Sequence, residues 1–476
     1  VYSFLLIFVV IVSFFSFYWK LYFSIELSVF IILIVTLKNI LFFKANKIKL
    51  LSLLFYLIYI LPFIHLLEYF WTDVSAEAPL VMWGLLTREG MLDLRAVSLT
   101  GMIGCVGAVG ISLAFSLKKL KLSTDEESIY KDKKYRTISL VPWFAMLIIG
   151  VVLSNLTAPK STILTAGYGE STSALESANF SSSWMVSYSI LTFLFVDSFF
   201  EKRKVEKRLK WYSILFAITY ILVFNQILRG DRDALPWIVS LLTLKFYWKM
   251  RFLKDNENST YKTPYKLILF FSVIFFSSMF IGMFRNSLTD LNSFSDLINI
   301  LADNSEIIIS NILHGTWSAV LLTPLSLSYD YIYNSLSFNF GRDYLDLVLS
   351  APPGFIADFI GYSRPWDINP DPAMKLVNSE TSTGGGLHLS AMAFWNFGIL
   401  GVVIGSFLWG YLIKILESNS LKNSAYKGMS LIGVCTLAMP HAVWYGEKNF
   451  FNALIIWFFI YYLIINFVNH FQYEKT

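Results

Sequence analysis

Arg229-Gly230-Asp231-Arg232-Asp233 places two arginines and two aspartates in five residues between two long apolar stretches. Asp231 and Asp233 are good N-cap types, and Pro236 fits a first helical turn, so the stretch reads as the start of a helix. A helix start offers unpaired N–H groups and partial positive charge, which suit a phosphate, and arginine adds bidentate donors matched to phosphate oxygens. The plain alternative is a short hairpin that its own Arg–Asp pairs cap. Asp231-Arg232-Asp233 is formally an Asp-x-Asp pattern, but an arginine between two carboxylates makes a poor isolated cation site. No metal and no cofactor is expected.

The second concentration of reactive residue types runs from Arg285 to Leu389. It holds Arg285, His314, Arg342, Asp343, the run Tyr362-Ser363-Arg364-Pro365-Trp366-Asp367-Ile368-Asn369-Pro370-Asp371-Pro372, and Glu380-Thr381-Ser382-Thr383-Gly384-Gly385-Gly386-Leu387-His388. Tyr362 and Trp366 flank Arg364, and aromatic faces beside charged groups suit the C–H faces of sugar rings. Three glycines before a helix allow close backbone approach and tight turns, and His388 follows directly. Read plainly, the glycines are a hinge and the charges are ion pairs of an ordinary folded loop.

These segments need a frame, and composition supplies one. The 476 residues are 56% hydrophobic, 17% aromatic and only 15% charged. Soluble domains carry about 25% charged residues. Apolar runs of about 20 residues recur, each long enough to cross a bilayer core. The expected fold class is all-α: a polytopic membrane protein with about 12 transmembrane helices and a large external loop of short helices. No alternating strands of a β-barrel are visible. The net charge of +5 is no sign of nucleic-acid binding, because the basic residues lie at span ends. Cys105 and Cys435 sit in apolar segments and read as small buried residues. The N-terminal Val1-Tyr2-Ser3-Phe4 lacks a basic n-region and reads as part of a span.

The spans are expected at 1–19, 21–43, 50–70, 96–117, 138–158, 184–200, 211–228, 234–248, 265–284, 390–413, 428–444 and 450–469. Loops rich in Lys and Arg alternate with Lys-poor ones along the chain. By the positive-inside rule both termini face the cytoplasm and the long loop faces outward. The apolar piece Ile307–Leu322 would invert every later loop if it spanned alone, so it is expected to be interfacial or re-entrant. The organisation is therefore 1–284 with nine spans, 285–389 as the large loop, and 390–476 with three spans and a tail.

Taken together, the chain resembles the bacterial O-antigen polymerase (Wzy) family. The residues that carry the resemblance are Gly230-Asp231-Arg232 opening a span and the stretch from Gly384 to Gly398, with its Asn396-Phe397-Gly398, followed by Gly401. The resemblance implies a GT-C-like glycosyltransferase of the bacterial inner membrane, active at the periplasmic face in O-antigen and lipopolysaccharide biosynthesis. Its donor and acceptor would be undecaprenyl-pyrophosphate-linked oligosaccharides, embedded in membrane lipid, and a chain-length regulator protein would be a partner. Under that reading Arg229, Arg232, Arg285 and Arg364 bind the pyrophosphate. His388, then Glu380, Asp371 and His314, are the general-base candidates. Tyr362, Trp366 and Asp367 contact sugar.

Two other readings compete. An O-antigen ligase shares the fold, the loop and the donor, and only the product separates it from a polymerase. A lipid-linked oligosaccharide flippase or other transporter would place charges within several spans and show repeated halves. Here the charges concentrate in loops and the halves look dissimilar.

Overall fold

The computed structural model describes residues 2–44, 49–63, 66, 94–117, 137–156, 180–225, 234–252, 317–333, 335–352, 354–365, 387–422, 425–445 and 448–473. Among the described residues all regular structure is helical and no strand occurs. The elements are α1 (Tyr2–Tyr18), α2 (Ile25–Lys44), α3 (Leu50–Ile60), α4 (Leu94–Ser116), α5 (Leu140–Leu156), α6 (Phe180–Phe200), α7 (Lys204–Asn225), α8 (Ala234–Phe252), α9 (Trp317–Tyr333), α10 (Arg342–Ser350), α11 (Gly354–Phe359), α12 (Leu389–Lys422), α13 (Ala425–Tyr445) and α14 (Lys448–Tyr473). Among the described residues, three helical stretches are long and apolar enough to cross a membrane by length and composition: Ile25–Phe43, Leu94–Ser116 and Leu389–Ser420. Shorter apolar helices include Leu6–Tyr18, Leu50–Phe63, Leu140–Asn155, Met185–Phe200 and Phe450–Ile464. The chain is a helical membrane protein.

At the centre lies α4, 89% buried along its apolar window where the α2 and α12 windows are 39% buried. Its glycines recur every third residue, at 101, 104, 107 and 110, and form a stripe against which neighbours close in. A Cβ on Gly104 would overlap the Phe63 ring, one on Gly107 would overlap the Tyr59 hydroxyl, and one on Gly110 would lie 2.8 Å from the Val403 carbonyl oxygen. Helices in lipid gain no hydrophobic drive from meeting each other, so small residues that permit close contact carry the packing. Gly107→Ala is expected to destabilise the fold by about 1–3 kcal/mol, because Tyr59 is fully buried and has no space to retreat into. A thermal unfolding midpoint in detergent that stays at the wild-type value would contradict this.

Of the expected span 50–70, residues 50–63 and 66 lie among the described residues. Helix α3 ends at Ile60 and tightens into a 3₁₀ turn through Phe63. Pro62 contributes to the stop, since it has no N–H to donate to the helix ladder. Both ends of α3 are buried, and side chains from distant helices satisfy them. At its start, Glu417 Oε1 accepts the Leu51 N–H at 2.8 Å, and Glu417 Oε2 accepts the Ser52 N–H at 3.2 Å and the Ser52 hydroxyl at 2.6 Å. Tyr247 of α8 donates its hydroxyl to the same carboxylate. At its other end, Trp444 Nε1 donates to the Ile58 carbonyl at 3.1 Å. Free helix ends away from water must find such partners. Glu417→Ala removes the acceptor of four donors and is expected to lose more stability than Gly107→Ala, at about 1–3 kcal/mol for each donor left unmet. Thermal melts of the two variants side by side give the comparison.

Candidate functional site

The stretch Leu389–Lys422 is one helix by hydrogen bonding but two by direction. Phe397 (φ −142°, ψ 19°) and Gly398 (φ +60°, ψ −151°) leave helical geometry. A Cβ on Gly405 would lie 3.2 Å from the Ala393 Cβ. In a straight helix, residues twelve apart are separated by about 18 Å. The chain therefore doubles back, and arm 389–396 lies antiparallel against the beginning of arm 399–422. Only glycine tolerates the Gly398 conformation readily. Gly401 permits the crossing, since a Cβ there would overlap the Ala393 carbonyl. The span expected at 390–413 thus starts as a returning arm, and its straight part begins after the Asn396-Phe397-Gly398 turn.

The reversal frees main-chain carbonyls, and the segment before α10 takes them up. Asn339 N donates to the Trp395 carbonyl and Phe340 N to the Asn396 carbonyl, each at 3.1 Å. The Asn396 side chain completes the closure. Its Oδ1 accepts the Gly341 N–H at 2.9 Å, and its Nδ2 donates to Asp343 Oδ2 and to the Met392 carbonyl, both at 2.9 Å. Asn339 Nδ2 donates to the same Asp343 Oδ2 at 2.9 Å. Gly341, at φ +87°, leads directly into α10, so Asp343 occupies its first turn, where a carboxylate is favoured.

Asp343 is only 4% exposed. One oxygen receives both amides; the other has no hydrogen-bond partner among the described residues. A floor of aromatic rings from Phe17, Tyr331, Phe338 and Phe394 packs beneath the turn, with centroids 4.7 to 6.2 Å apart. The result is a fixed carboxylate at one end of the bundle, level with the ends of α1 and α9.

His388 stands at the foot of the returning arm and is fully buried. Its Nδ1 accepts the Ser390 N–H at 3.1 Å and lies 2.6 Å from the Ser390 hydroxyl. Its Nε2 lies 3.0 Å from the Tyr59 carbonyl, which can only accept, so the proton resides on Nε2. The rings of Tyr59 and Phe63 meet the imidazole edge-on at 4.9 and 5.0 Å. Both nitrogens are thus engaged within the protein. In this arrangement His388 ties the arm to the end of α3 and has no free nitrogen to take a proton from a substrate.

Arg364 is mostly buried, and its Nη1 donates to the Pro352 carbonyl at 3.3 Å. The Tyr362 hydroxyl donates to the Leu349 carbonyl at 3.0 Å. Both side chains draw the turn after α11 back onto the end of α10, and neither touches the Asp343 cluster in a described contact. Arg229, Arg232, Arg285, His314, Trp366, Asp367, Asp371 and Glu380 lie outside the described residues, as do the span expected at 265–284 and residues 307–316 of the re-entrant candidate. The remainder of that candidate belongs to α9, whose Val320, Leu321, Thr323 and Leu325 are buried in the bundle. Helix α8 begins at Ala234, immediately after the Arg–Asp stretch. Among the described residues no group of three or more His, Cys, Asp or Glu side chains is placed to hold a metal ion.

Arg342-Asp343 and Asn396-Phe397-Gly398 are separate features of the sequence. An acid and an amide 53 residues apart carry no local signal of contact. Comparison with protein-family models, curated proteins and solved structures returned no match.

Proposed function

We propose that this protein is a membrane glycosyltransferase that joins lipid-linked oligosaccharide repeat units, as an O-antigen polymerase does. The bundle would hold about twelve spans in the bacterial inner membrane, with both termini cytoplasmic and the Asp343 cluster at the periplasmic face. A hydroxyl of the acceptor saccharide attacks the anomeric carbon of the donor chain. The new glycosidic C–O bond forms as the bond from that carbon to the phosphate oxygen breaks, and undecaprenyl pyrophosphate leaves with the electron pair. The hydroxyl proton passes to Asp343.

The observation that carries this reading is the Asp343 carboxylate. It is rigid, nearly buried and clamped through one oxygen, which leaves the other to accept a proton; a general base needs that geometry before it needs a tuned pKa. Arginines Arg229, Arg232 and Arg285 would neutralise the departing pyrophosphate. Arg364 would join them from the turn after α11. Tyr362, Trp366 and Asp367 would line the sugar path, and a chain-length regulator would set product size. His388 holds the arm in place, and the proton transfer moves from it to Asp343.

The test is genetic. Deleting the gene in its host and resolving the lipopolysaccharide on a gel should replace the ladder with core carrying a single repeat unit. Complementation with wild type should restore the ladder, and Arg232→Ala at equal protein level should not. Core without any repeat unit would instead favour ligase or flippase activity, and an unchanged ladder would remove the proposal.

A further inference from the structure

Helix α10 wears its faces the wrong way round for a loop helix in water. Asp343, Leu347 and Ser350 are buried. Leu345, Val348 and Leu349, which form a neighbouring stripe at helical spacing, are exposed, Val348 at 67%. The next element repeats the pattern, with Phe359 at 90% and Ile360 at 63%. Bonds from Tyr362 and Arg364 to the end of α10 hold α11 beside it, so the two sets of apolar side chains belong to one surface. Phe340, ahead of α10, is exposed as well.

Two features of the surroundings indicate what meets this surface. First, arm 399–422 carries an exposed apolar stripe of Leu400, Ile404 and Leu408, the face a membrane helix turns to lipid. That stripe rises to Phe397 at the hairpin turn, and Phe397 stacks on Tyr344 of α10 with ring planes 7° apart. The apolar surface of α10 therefore continues the lipid-facing stripe. Second, Phe17 packs against the turn, and the residues after it, Tyr18 and Trp19, are exposed at 75% and 63%. Exposed Tyr and Trp at a span end mark the membrane–water interface. The hairpin turn and α10 therefore lie at interfacial depth.

From this we infer that α10 and α11 form a monotopic platform. They lie in the plane of the lipid headgroups, with Leu345, Val348, Leu349, Phe359 and Ile360 inserted among the acyl chains. The inference stands on membrane embedding alone and not on glycosyl transfer. Amphipathic segments of this kind bury their apolar side about 5–10 Å below the headgroups. Asp343, on the buried side of the same helix, then sits directly above the lipid surface, where a membrane-anchored substrate presents its polar head.

The experiment uses the full chain with single cysteines at Val348 or Phe359; both native cysteines are buried and would stay unlabelled. Each is labelled with a nitrobenzoxadiazole probe and reconstituted in phosphatidylcholine–phosphatidylglycerol nanodiscs. Leu408→Cys serves as the lipid-facing reference and Lys202→Cys as the aqueous one. Doxyl-labelled lipid is expected to quench positions 348 and 359 as it quenches 408, with iodide quenching about tenfold weaker than at 202. Iodide quenching equal to that at 202 would overturn the inference. Quenching by neither agent would overturn it too, since protein rather than lipid would then cover the face.

Discussion

If the proposed polymerase activity is right, Asp343→Asn is expected to lower polymer formation by about 10²- to 10⁴-fold, the usual contribution of a general base, with protein level and melting temperature close to wild type. The separation of activity from stability follows from the geometry. Asp343 Oδ2 is the shared acceptor for Asn339 Nδ2 and Asn396 Nδ2. An asparagine at 343 can turn its own carbonyl oxygen to the same two amides and keep the hairpin closed. It then presents an NH₂ group where the carboxylate presented its second oxygen, and an amide cannot take the acceptor's proton. Asp343→Ala should behave differently. It leaves both amides without their acceptor, so stability and activity fall together. His388→Ala should resemble Asp343→Ala, because it strips the Tyr59 carbonyl of its partner and releases the arm. The measurement is polymer length and rate from lipid-linked repeat units in proteoliposomes, paired with thermal melts. An Asp343→Asn protein that polymerises at the wild-type rate would move the base to Glu380 or Asp371.

The frame of this fold is readable from sequence because lipid imposes a simple requirement. Any chain crossing hydrocarbon must satisfy its backbone internally, so a run of about 20 apolar residues without charges reads as a helix. Helices α2, α4, α6 and α13 fall close to where apolar runs place them. What escapes is any place where a helix stops or turns inside the frame. Gly398 and Gly401 look like the ordinary glycines of a membrane helix, and nothing local distinguishes a glycine that packs from one that reverses the chain. Asn396-Phe397-Gly398 stood out as a motif, but its geometry depends on Asn339, Phe340 and Gly341 arriving from elsewhere to take up the exposed carbonyls. The same holds for α3. Pro62 could have flagged its early end, whereas Glu417, Tyr247 and Trp444, which make that short helix tenable, come from three other helices. His388 shows how much local context leaves out. Its place after three glycines at a helix start suggested reactivity, and burial against Tyr59 and Phe63 gives it a supporting part.

Lys210→Met is expected to lower stability by about 3–5 kcal/mol. The ammonium of Lys210 is fully buried and donates to Asp197 Oδ2 at 2.9 Å, Glu201 Oε2 at 2.8 Å and the Ile138 carbonyl at 2.6 Å. The second Asp197 oxygen accepts the Ile138 N–H at 3.1 Å, so one lysine ties the start of α5 to the α6–α7 turn. Methionine fills similar volume but leaves two carboxylates close together without the ammonium that bridges them. Taking out all three charges, as Lys210→Met with Asp197→Asn and Glu201→Gln, should recover much of the loss, because a buried ionic group contributes less by its presence than its breakage removes. The pH dependence supplies an independent check at Glu201. Burial pushes its carboxyl up, but hydrogen bonds from Lys210, Thr137 and the Arg203 backbone, together with the Lys210 charge, hold it below the ordinary 4.5. A carboxyl lowered by folding stabilises the protein above its unfolded value, and that contribution disappears as pH falls through the folded value. Wild type should therefore lose this contribution on acidification below about pH 4.5. In Lys210→Met the Lys210 bond and charge are gone, and burial, the largest single influence on Glu201, together with the Asp197 charge is expected to outweigh the remaining bonds from Thr137 and the Arg203 backbone, so Glu201 should titrate above its ordinary value. That variant should gain stability as pH falls from 7 toward 5, where the wild type stays level. Unfolding midpoints across that range decide the matter, and a Lys210→Met protein whose midpoint is flat with pH would show that the two carboxylates find another cation.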